Sequence, residues 1–407
     1  MNLLILTQYF PPEVGAPQNR LFELAVRLQK KGITISVLTA MPNYPQMEIH
    51  PSYKNKFYFR EQVSHLDVHR SWIYVTKQKG IVHRLLNYFS FVFTSFFIGW
   101  FKLGKLDYIL CESPPLFLGI TAYFLKKIKN AKIIFNVSDL WPESAEKLEL
   151  VTNKFFLKSA TKLEEFLYRN SDLITGQTQG IVKNISNRFP NKKTYWLPNG
   201  VDLDYYKTDP KQKDWRTKNN FKTTDFIILY AGIIGYAQGL EIIIIAAEKL
   251  QKYVDIKLVI IGSGPEKEKL IALKEKLHMS NVYFFDAVSK AEMPAIIDAT
   301  DISIIPLKRL SLFKGAIPSK IFENLAMKKT ILLGVEGEAK ELFIDEGNCG
   351  LAFIPEDAND LSLKILQLYN NKDLLKMFGE NGYNYVARKF TRDKITNEFY
   401  NWLIANN

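Results

Sequence analysis

Residues 225–252 read DFIILYAGIIGYAQGLEIIIIAAEKLQK. The run from Phe226 to Ala231 is apolar without interruption, as in a strand buried on both faces of a sheet. Gly232, Gly235 and Gly239 follow it, and a helix is expected over 238–252. Strand, glycine turn and helix make one unit of a doubly wound parallel sheet.

The pattern continues downstream. IKLVIIGSG (256–264) reads as a strand and 264–277 as a helix, and NVYFFDA (281–287), DISIIPL (301–307) and KTILLGV (329–335) supply further strands. Upstream it runs a second time. LLILTQYF (3–10), ITISVLTA (33–40), DYILCES (107–113), KIIFNVSD (132–139) and DLITGQT (172–178) are strand-like. RLFELAVRLQKKG (20–32), with Leu21, Leu24, Ala25 and Leu28 on one face, is helical, as are 81–103, 115–129, 153–170 and 178–188. Between the halves, Pro, Asn, Asp and Gly crowd into YWLPNGVDLDYYKTDPKQKDW, which places a linker at 198–215. The expected fold is α/β: two Rossmann-like domains, 1–200 and 201–389, facing across a cleft, with a C-terminal helix over 390–407 packing back on the first.

A chain of 407 residues that is 47% apolar can fill two cores. Its net charge, 54 − 42 = +12, suits anionic partners. Cys111 and Cys349 offer no disulfide framework, and the first apolar run, short and ending in Pro11-Pro12, reads as a strand and not a signal peptide. The basic residues are dispersed with no nucleic-acid motif, so no nucleic-acid partner is expected.

One stretch departs from the pattern. LLNYFSFVFTSFFIGWFKL (85–103) is nearly uncharged and close to the roughly 20 residues of a membrane span. Asn87 and Lys102 inside it, and the lack of a second such stretch, weigh against spanning. Phe89, Phe93, Phe97 and Phe101 recur at one-turn spacing beside Trp100, with Arg84, Lys102 and Lys105 at the flanks. That pattern fits either a helix lying in a bilayer interface or a buried core helix.

Ligands of doubly wound sheets bind beyond the carboxyl ends of the strands. Four loops there carry candidate residues. In FPPEVGAPQNR (10–20), Gly15 permits close backbone approach, and Arg20 in the first helical turn would hold an anion or pair with Glu13 or Glu23. The glycine turn Gly232–Gly239 can curl its amides around a diphosphate, or be a tight turn only. In GAIPSKIFE (315–323), a helix starts at Pro318 or Ser319. Lys320 can meet diphosphate oxygens, and Glu323 can accept two ribose hydroxyls or complement the helix start. In FNVSDLWPESAEKL (135–148), Asp139 can contact an acceptor hydroxyl or cap a helix that Glu143 opens. Asp202-Leu203-Asp204 is read as turn chemistry. His65, Asp67 and His69 are read as an exposed strand face in preference to a metal site.

Together these loops resemble retaining glycosyltransferases of family four, of the two-Rossmann-domain (GT-B) type, over nearly the whole chain. The resemblance rests on LPNGVD (197–202), AGIIGYAQGLE (231–241), IGSGPEKEKL (261–270), PSKIFENLAM (318–327), GVEGEAKELF (334–343) and AFIPEDANDL (352–361). DLWPES (139–144) and GAIPSKIFE look typical of bacterial cell-surface polysaccharide branches, O-antigen and capsule amino-sugar transferases among them.

The resemblance implies an acceptor-binding first domain and a nucleotide-sugar-binding second domain. It makes Glu323 the second Glu of a Glu–seven residues–Glu motif, the one that binds ribose. Gly315 stands where the first Glu would be, so amides from Gly315 through Pro318 and Ser319 are the substitutes. Ile233 and Gln238 replace the family's Arg and Lys. The diphosphate charge then falls to the Gly232, Gly235 and Gly239 backbone, to Lys320, and to Arg20 or Gly15 from the other domain. Asp139 and Glu143 are the catalytic candidates, with no metal and no cofactor expected. Also implied are a UDP-N-acetyl amino sugar as donor, a lipid-linked saccharide as acceptor, and a cytoplasmic enzyme peripheral to the inner membrane face, docked through Phe89, Phe93, Phe97 and Trp100. A nucleotide-sugar 2-epimerase on the same fold, or a non-catalytic basic membrane binder, are the alternatives.

Overall fold

The computed structural model describes residues 1–407 except 14, 45, 79, 149–150, 208–214 and 407, and of residue 81 the backbone only. Residues 208–214 of the expected linker therefore lie outside the described residues. The chain divides into two compact units, Met1–Pro198 with Ile395–Asn407, and Asn199–Lys394.

The first unit holds strands β1 (Asn2–Leu6), β2 (Thr34–Ala40), β3 (Tyr58–Val63), β4 (Leu66–Ser71), β5 (Tyr108–Ser113), β6 (Lys132–Val137), β7 (Leu173–Gly176) and β8 (Lys193–Trp196). Its helices are α1 (Ala16–Lys30), α2 (Ile81–Lys102), α3 (Leu118–Lys129), α4 (Glu143–Lys147), α5 (Lys154–Asn170) and α6 (Gln179–Arg188). The sheet order is β3-β4-β2-β1-β5-β6-β7-β8. All neighbours are parallel except β3, which runs antiparallel to β4. The order reverses direction between β1 and β5, so the loop from β1 to α1 leaves the sheet at its switch point.

The centre of the sheet is buried on both faces because β1, β5, β6 and β7 are predominantly apolar, whereas the edge strands β3 and β8 are half-polar and partly exposed. Leu4 and Leu6 of β1 join one core with Phe91 and Ile98 of α2 and Leu125 of α3. Leu3 and Ile5, which point the other way, join a second core with Leu21 and Leu28 of α1.

The second unit holds β9 (Phe226–Ala231), β10 (Ile256–Ile261), β11 (Val282–Phe285), β12 (Ile302–Pro306), β13 (Thr330–Gly334) and β14 (Gly350–Ala352). They form a parallel sheet in the order β11-β10-β9-β12-β13-β14, so β9, the strand quoted first, lies at this sheet's switch point. Its helices are α7 (Trp215–Lys218), α8 (Glu241–Leu250), α9 (Lys267–Lys276), α10 (Met293–Asp298), α11 (Lys320–Ala326), α12 (Glu338–Lys340), α13 (Ala358–Tyr369) and α14 (Lys372–Lys389). The last helix, α15 (Arg392–Ala405), begins in the second unit and ends in the first. Ile395, Phe399 and Leu403, spaced one turn apart, enter the core of Leu3 and Ile5, and Trp402 stacks on Tyr195 of β8 at 4.7 Å.

Two expectations need correction. The β3–β4 hairpin contributes an antiparallel edge to a sheet expected to be parallel. His65, Asp67 and His69 do not share an exposed strand face. His65 sits in the hairpin turn with φ 66°. His69 is buried, shares a 2.9 Å hydrogen bond between Nδ1 and the Tyr58 hydroxyl, and lies 3.1 Å from Asp67.

Candidate active site

In the second unit the glycine turn and the start of α11 come together. Gly232 has φ 147°, a region that favours glycine. A Cβ there would lie 2.8 Å from Lys320 Nζ, so the turn and this ammonium occupy one small space. Gly239, with φ 58°, turns the chain into α8. Gly235 has an ordinary extended φ of −122°, and its freedom is not needed for the turn's shape. The helix begins at Lys320, and Pro318 and Ser319 precede it half-buried. Gly315 ends the short 3-10 turn Ser311–Gly315.

Lys320 Nζ sits 3.9 Å from the centroid of the Tyr230 ring, and the Tyr230 hydroxyl donates to the Ile233 carbonyl at 2.6 Å, bracing the turn. Burial pulls the Lys320 ammonium down to about 7, with Glu323 opposing the shift. Glu323, one turn along α11, is half-buried. Burial pushes its carboxyl up, while a hydrogen bond from Tyr206 and the charges of Lys290, Lys320 and Arg392 act against this. Lys290 also lies 4.8 Å from the Tyr205 ring centroid. Three elements far apart in sequence thus converge on Glu323.

Nothing local in the sequence marks Tyr206, Lys290 or Arg392 as neighbours of Glu323, or Tyr230 as the neighbour of Lys320. The tyrosine pair at 205–206, just beyond the PNG turn, was the nearest available signal. Asp202 is an Asx-type turn residue, its side chain accepting from the Asp204 amide at 3.0 Å.

In the first unit, Arg20 is not a surface residue paired with Glu13 or Glu23. It is 3% exposed, and its Nη2 bonds Glu112 at 2.6 Å and Ser138 Oγ at 2.7 Å. Glu112 also accepts from Asn136 and Ser138, and Asn136 in turn accepts from Thr175 at 2.6 Å. The result is a buried polar chain across the carboxyl ends of β5, β6 and β7. Arg20 Nε is buried with no hydrogen-bond partner. Gly15 has φ 176°, open to any residue, and a Cβ would meet only the flexible Gln18 side chain, so close approach is not what its backbone requires.

Asp139 accepts from Ser144 Oγ at 2.6 Å, and burial pushes its carboxyl up. The cap position of α4 is Pro142, with no side-chain capping bond. Glu143 points to the surface and pairs with Lys147 at 2.6 Å, both 42% exposed.

Helix α2 is amphipathic. Phe91, Ile98 and the small polar Thr94 and Ser95 are buried, while Phe93 and Phe101 are 64% and 66% exposed and Phe89 and Trp100 are also exposed. Phe97 is half-buried between Phe93 and Phe101, at 4.8 and 6.3 Å. Ring contacts carry this face onward, from Phe96 to Phe124 of α3 at 5.9 Å and from Tyr123 to Phe166 of α5 at 4.9 Å. Phe124 and Phe166 are exposed. Their part of the apolar belt was not read from the sequence, because neither helix repeats aromatics at one-turn spacing as α2 does. Among the described residues no helix is long and apolar enough to cross a membrane, which removes the spanning reading. Among the same residues no cluster of His, Cys, Asp and Glu is arranged to hold a metal ion.

The profile of Glycosyltransferase Family 4 matches residues 18–205, and that of Glycosyl transferases group 1 matches residues 211–385. The putative colanic acid biosynthesis glycosyl transferase WcaI of Escherichia coli K12 is 26% identical over 98% of this chain and 99% of its own. Among solved structures, sucrose-phosphate synthase from Thermosynechococcus elongatus aligns with TM-score 0.78 at 16% identity, covering 100% of both chains. HepE of Anabaena, in complex with UDP and glucose, aligns with TM-score 0.73 at 16% identity and the same coverage. With one profile on each unit and similarity running from end to end, the chain is a two-domain glycosyltransferase of the GT-B type, family four in its first half and group 1 in its second.

Proposed function

We propose that the protein transfers a sugar, with retention of anomeric configuration, from a nucleotide-diphosphate sugar to a lipid-linked saccharide in cell-surface polysaccharide assembly. The donor is a UDP-N-acetyl amino sugar, and no metal ion takes part. The observation that carries the reading is the shared space of the Gly232 turn and Lys320, with Glu323 one helical turn away. A diphosphate entering there meets backbone amides of the turn and an ammonium that gains its full charge on contact. Glu323 accepts the vicinal ribose hydroxyls. Two further supports are WcaI, named for a polysaccharide pathway, and HepE, solved with UDP and glucose.

In the reaction the bond from anomeric carbon to diphosphate breaks, and negative charge grows on the leaving group. Fixed amides of the Gly232–Gly239 turn and of Gly315–Ser319, with Lys320, stabilise that charge without reorganising. Asp139, just beyond the end of β6, orients the acceptor hydroxyl, whose oxygen bonds the anomeric carbon as the diphosphate leaves; burial raises this carboxyl. Glu143 is a weaker candidate because it is already paired with Lys147. Gly15 and the unpartnered Nε of Arg20 are the remaining donors at the β1 loop. The exposed face of α2, with Phe89, Phe93, Phe97 and Trp100, docks the enzyme on the inner membrane surface, and the net charge of +12 favours anionic lipid.

Isothermal titration with a panel of nucleotide sugars tests the donor site. Glu323→Ala is expected to weaken the preferred donor by roughly 10- to 100-fold, the scale of a lost hydrogen bond to a charged group. Unaltered affinity in that variant would remove Glu323 from the ribose role.

A further inference from the structure

The first unit contains a cavity of about 720 Å³ that none of the residues above line. It opens beside the β3–β4 hairpin, between residues 47–57 and the segment 72–77 that leads from β4 towards α2. Its floor is apolar and fixed: Met41 and Ile73 are 1% exposed and Tyr53 8%. Its rim is different. Phe57 and Trp72 are 59% and 38% exposed, and their rings lie nearly parallel, 12° apart with centroids at 6.4 Å. The stacked pair forms an aromatic platform exposed to solvent.

Charge surrounds the platform. Lys54, Lys56 and Lys77 stand at the rim with Glu48 as the acidic member of the lining, a balance of 3 − 1 = +2. Glu48 is shared, at 3.0 Å from Lys54 and 3.2 Å from Lys77. All three groups are more than half exposed, so these pairings are weak and both ammonium groups remain available to a stronger anion. Lys56 is held 3.8 Å over the Phe59 ring.

The wall of the cavity is also strapped to α2. Thr94 Oγ1 donates to the Trp72 carbonyl at 2.6 Å, Asn87 Nδ2 to the Tyr74 carbonyl at 2.7 Å, and the Tyr74 amide to Ser90 Oγ at 2.8 Å. Asn87 and Thr94 belong to the buried side of the helix whose other side carries exposed Phe89 and Phe93.

We propose that this cavity binds the phosphate-bearing saccharide head of the lipid-linked acceptor. The proposal rests on the function given above and adds a site to it. An aromatic platform receives the C–H face of a sugar ring, and a volume of this size holds a small saccharide. The lysines receive the phosphate groups that join saccharide to lipid. Attachment to α2 places the head site on the element whose apolar face meets the lipid, so one helix serves both parts of an amphiphilic substrate.

The test uses the full-length protein and three probes: geranyl diphosphate carrying one N-acetylglucosamine, octyl N-acetylglucosaminide, which lacks phosphate, and inorganic pyrophosphate. Lys54→Gln with Lys77→Gln should weaken the geranyl probe about tenfold or more and flatten its salt dependence. Trp72→Ala, which leaves the backbone straps in place, should weaken both sugar probes by a similar factor. Nucleotide-sugar affinity should stay at the wild-type value in each variant, and unchanged hydrogen exchange at β1 and β5 certifies the fold of the first unit. Hydrogen exchange should show the geranyl probe protecting 47–57 and 72–77.

Wild-type affinity for the geranyl probe in both variants, or protection confined to other segments, would overturn the proposal. So would pyrophosphate binding as tightly as the full probe, which would mark a plain anion site. A wild-type protein that binds no nucleotide sugar would instead sink the transferase reading, and the probe data would still decide the cavity.

Discussion

Lys320 is lowered to about 7 because it lies under the Gly232 turn and against Tyr230, with only Glu323 in partial compensation. Two opposite pH trends follow. In the free protein the folded state binds fewer protons than the unfolded chain between about 7 and 10.5, so this group's contribution to stability rises with pH across that window. A bound diphosphate reverses the bias by favouring the charged amine. Donor affinity should therefore fall above pH 7, by up to about tenfold per unit until the bound-state value is reached. Calorimetry at pH 6 and pH 8.5 checks the slope. Lys320→Met should abolish the trend and weaken the donor at pH 6, without lowering the apo melting temperature. A donor affinity flat from pH 6 to 8.5 in the wild type would show that Lys320 does not meet the diphosphate. Lys320 and Glu323 were readable as candidates because PSKIFE follows a strand and a turn. Glu112 was not, since a single acid inside the apolar run YILCES gives no sign that Arg20, 92 positions earlier, will neutralise it. For the same reason His69, alternating with polar residues, reads as exposed until the β3 edge strand covers it.

At the scale of elements, α2 shows how one helix can satisfy two readings. Its composition fits core and membrane interface alike, and only the partition of exposure separates the faces. Phe93→Ser with Phe101→Ser removes surface aromatics and should change stability by no more than about 0.5 kcal/mol per site. The same pair should cut binding to vesicles of anionic phospholipid, measured by co-sedimentation, because the buried apolar area that anchors an interfacial helix is gone. Phe91→Ala, on the buried side, should cost about 3–5 kcal/mol. Vesicle binding that survives the double serine variant would assign the belt on α2, α3 and α5 to some other contact. The strands and most helices were legible here, since continuous apolar runs and one-turn periodicity are strong signals. The β3–β4 hairpin was not, because a half-polar edge strand has neither.

At the scale of the whole molecule, each unit has its own sheet and core, and α15 closes the first with residues from the far end of the chain. Phe399→Ala should destabilise the first unit by about 3–5 kcal/mol and leave the second unchanged. Urea unfolding followed by hydrogen exchange at β1 and at β9 separates the two, and equal loss in both would refute independent cores. The closing role of α15 also governs the order of manufacture. Strands β1 to β8 leave the ribosome early, yet the helix that covers Leu3 and Ile5 arrives only after the whole intervening unit, Asn199–Lys394, has been synthesised. At about 5–20 residues per second, that interval is roughly 10–40 s. Throughout it the nascent first half lacks Ile395, Phe399 and Leu403, so the part of this face that α1 does not cover stays open, and binding by a chaperone at the exit tunnel is the expected outcome.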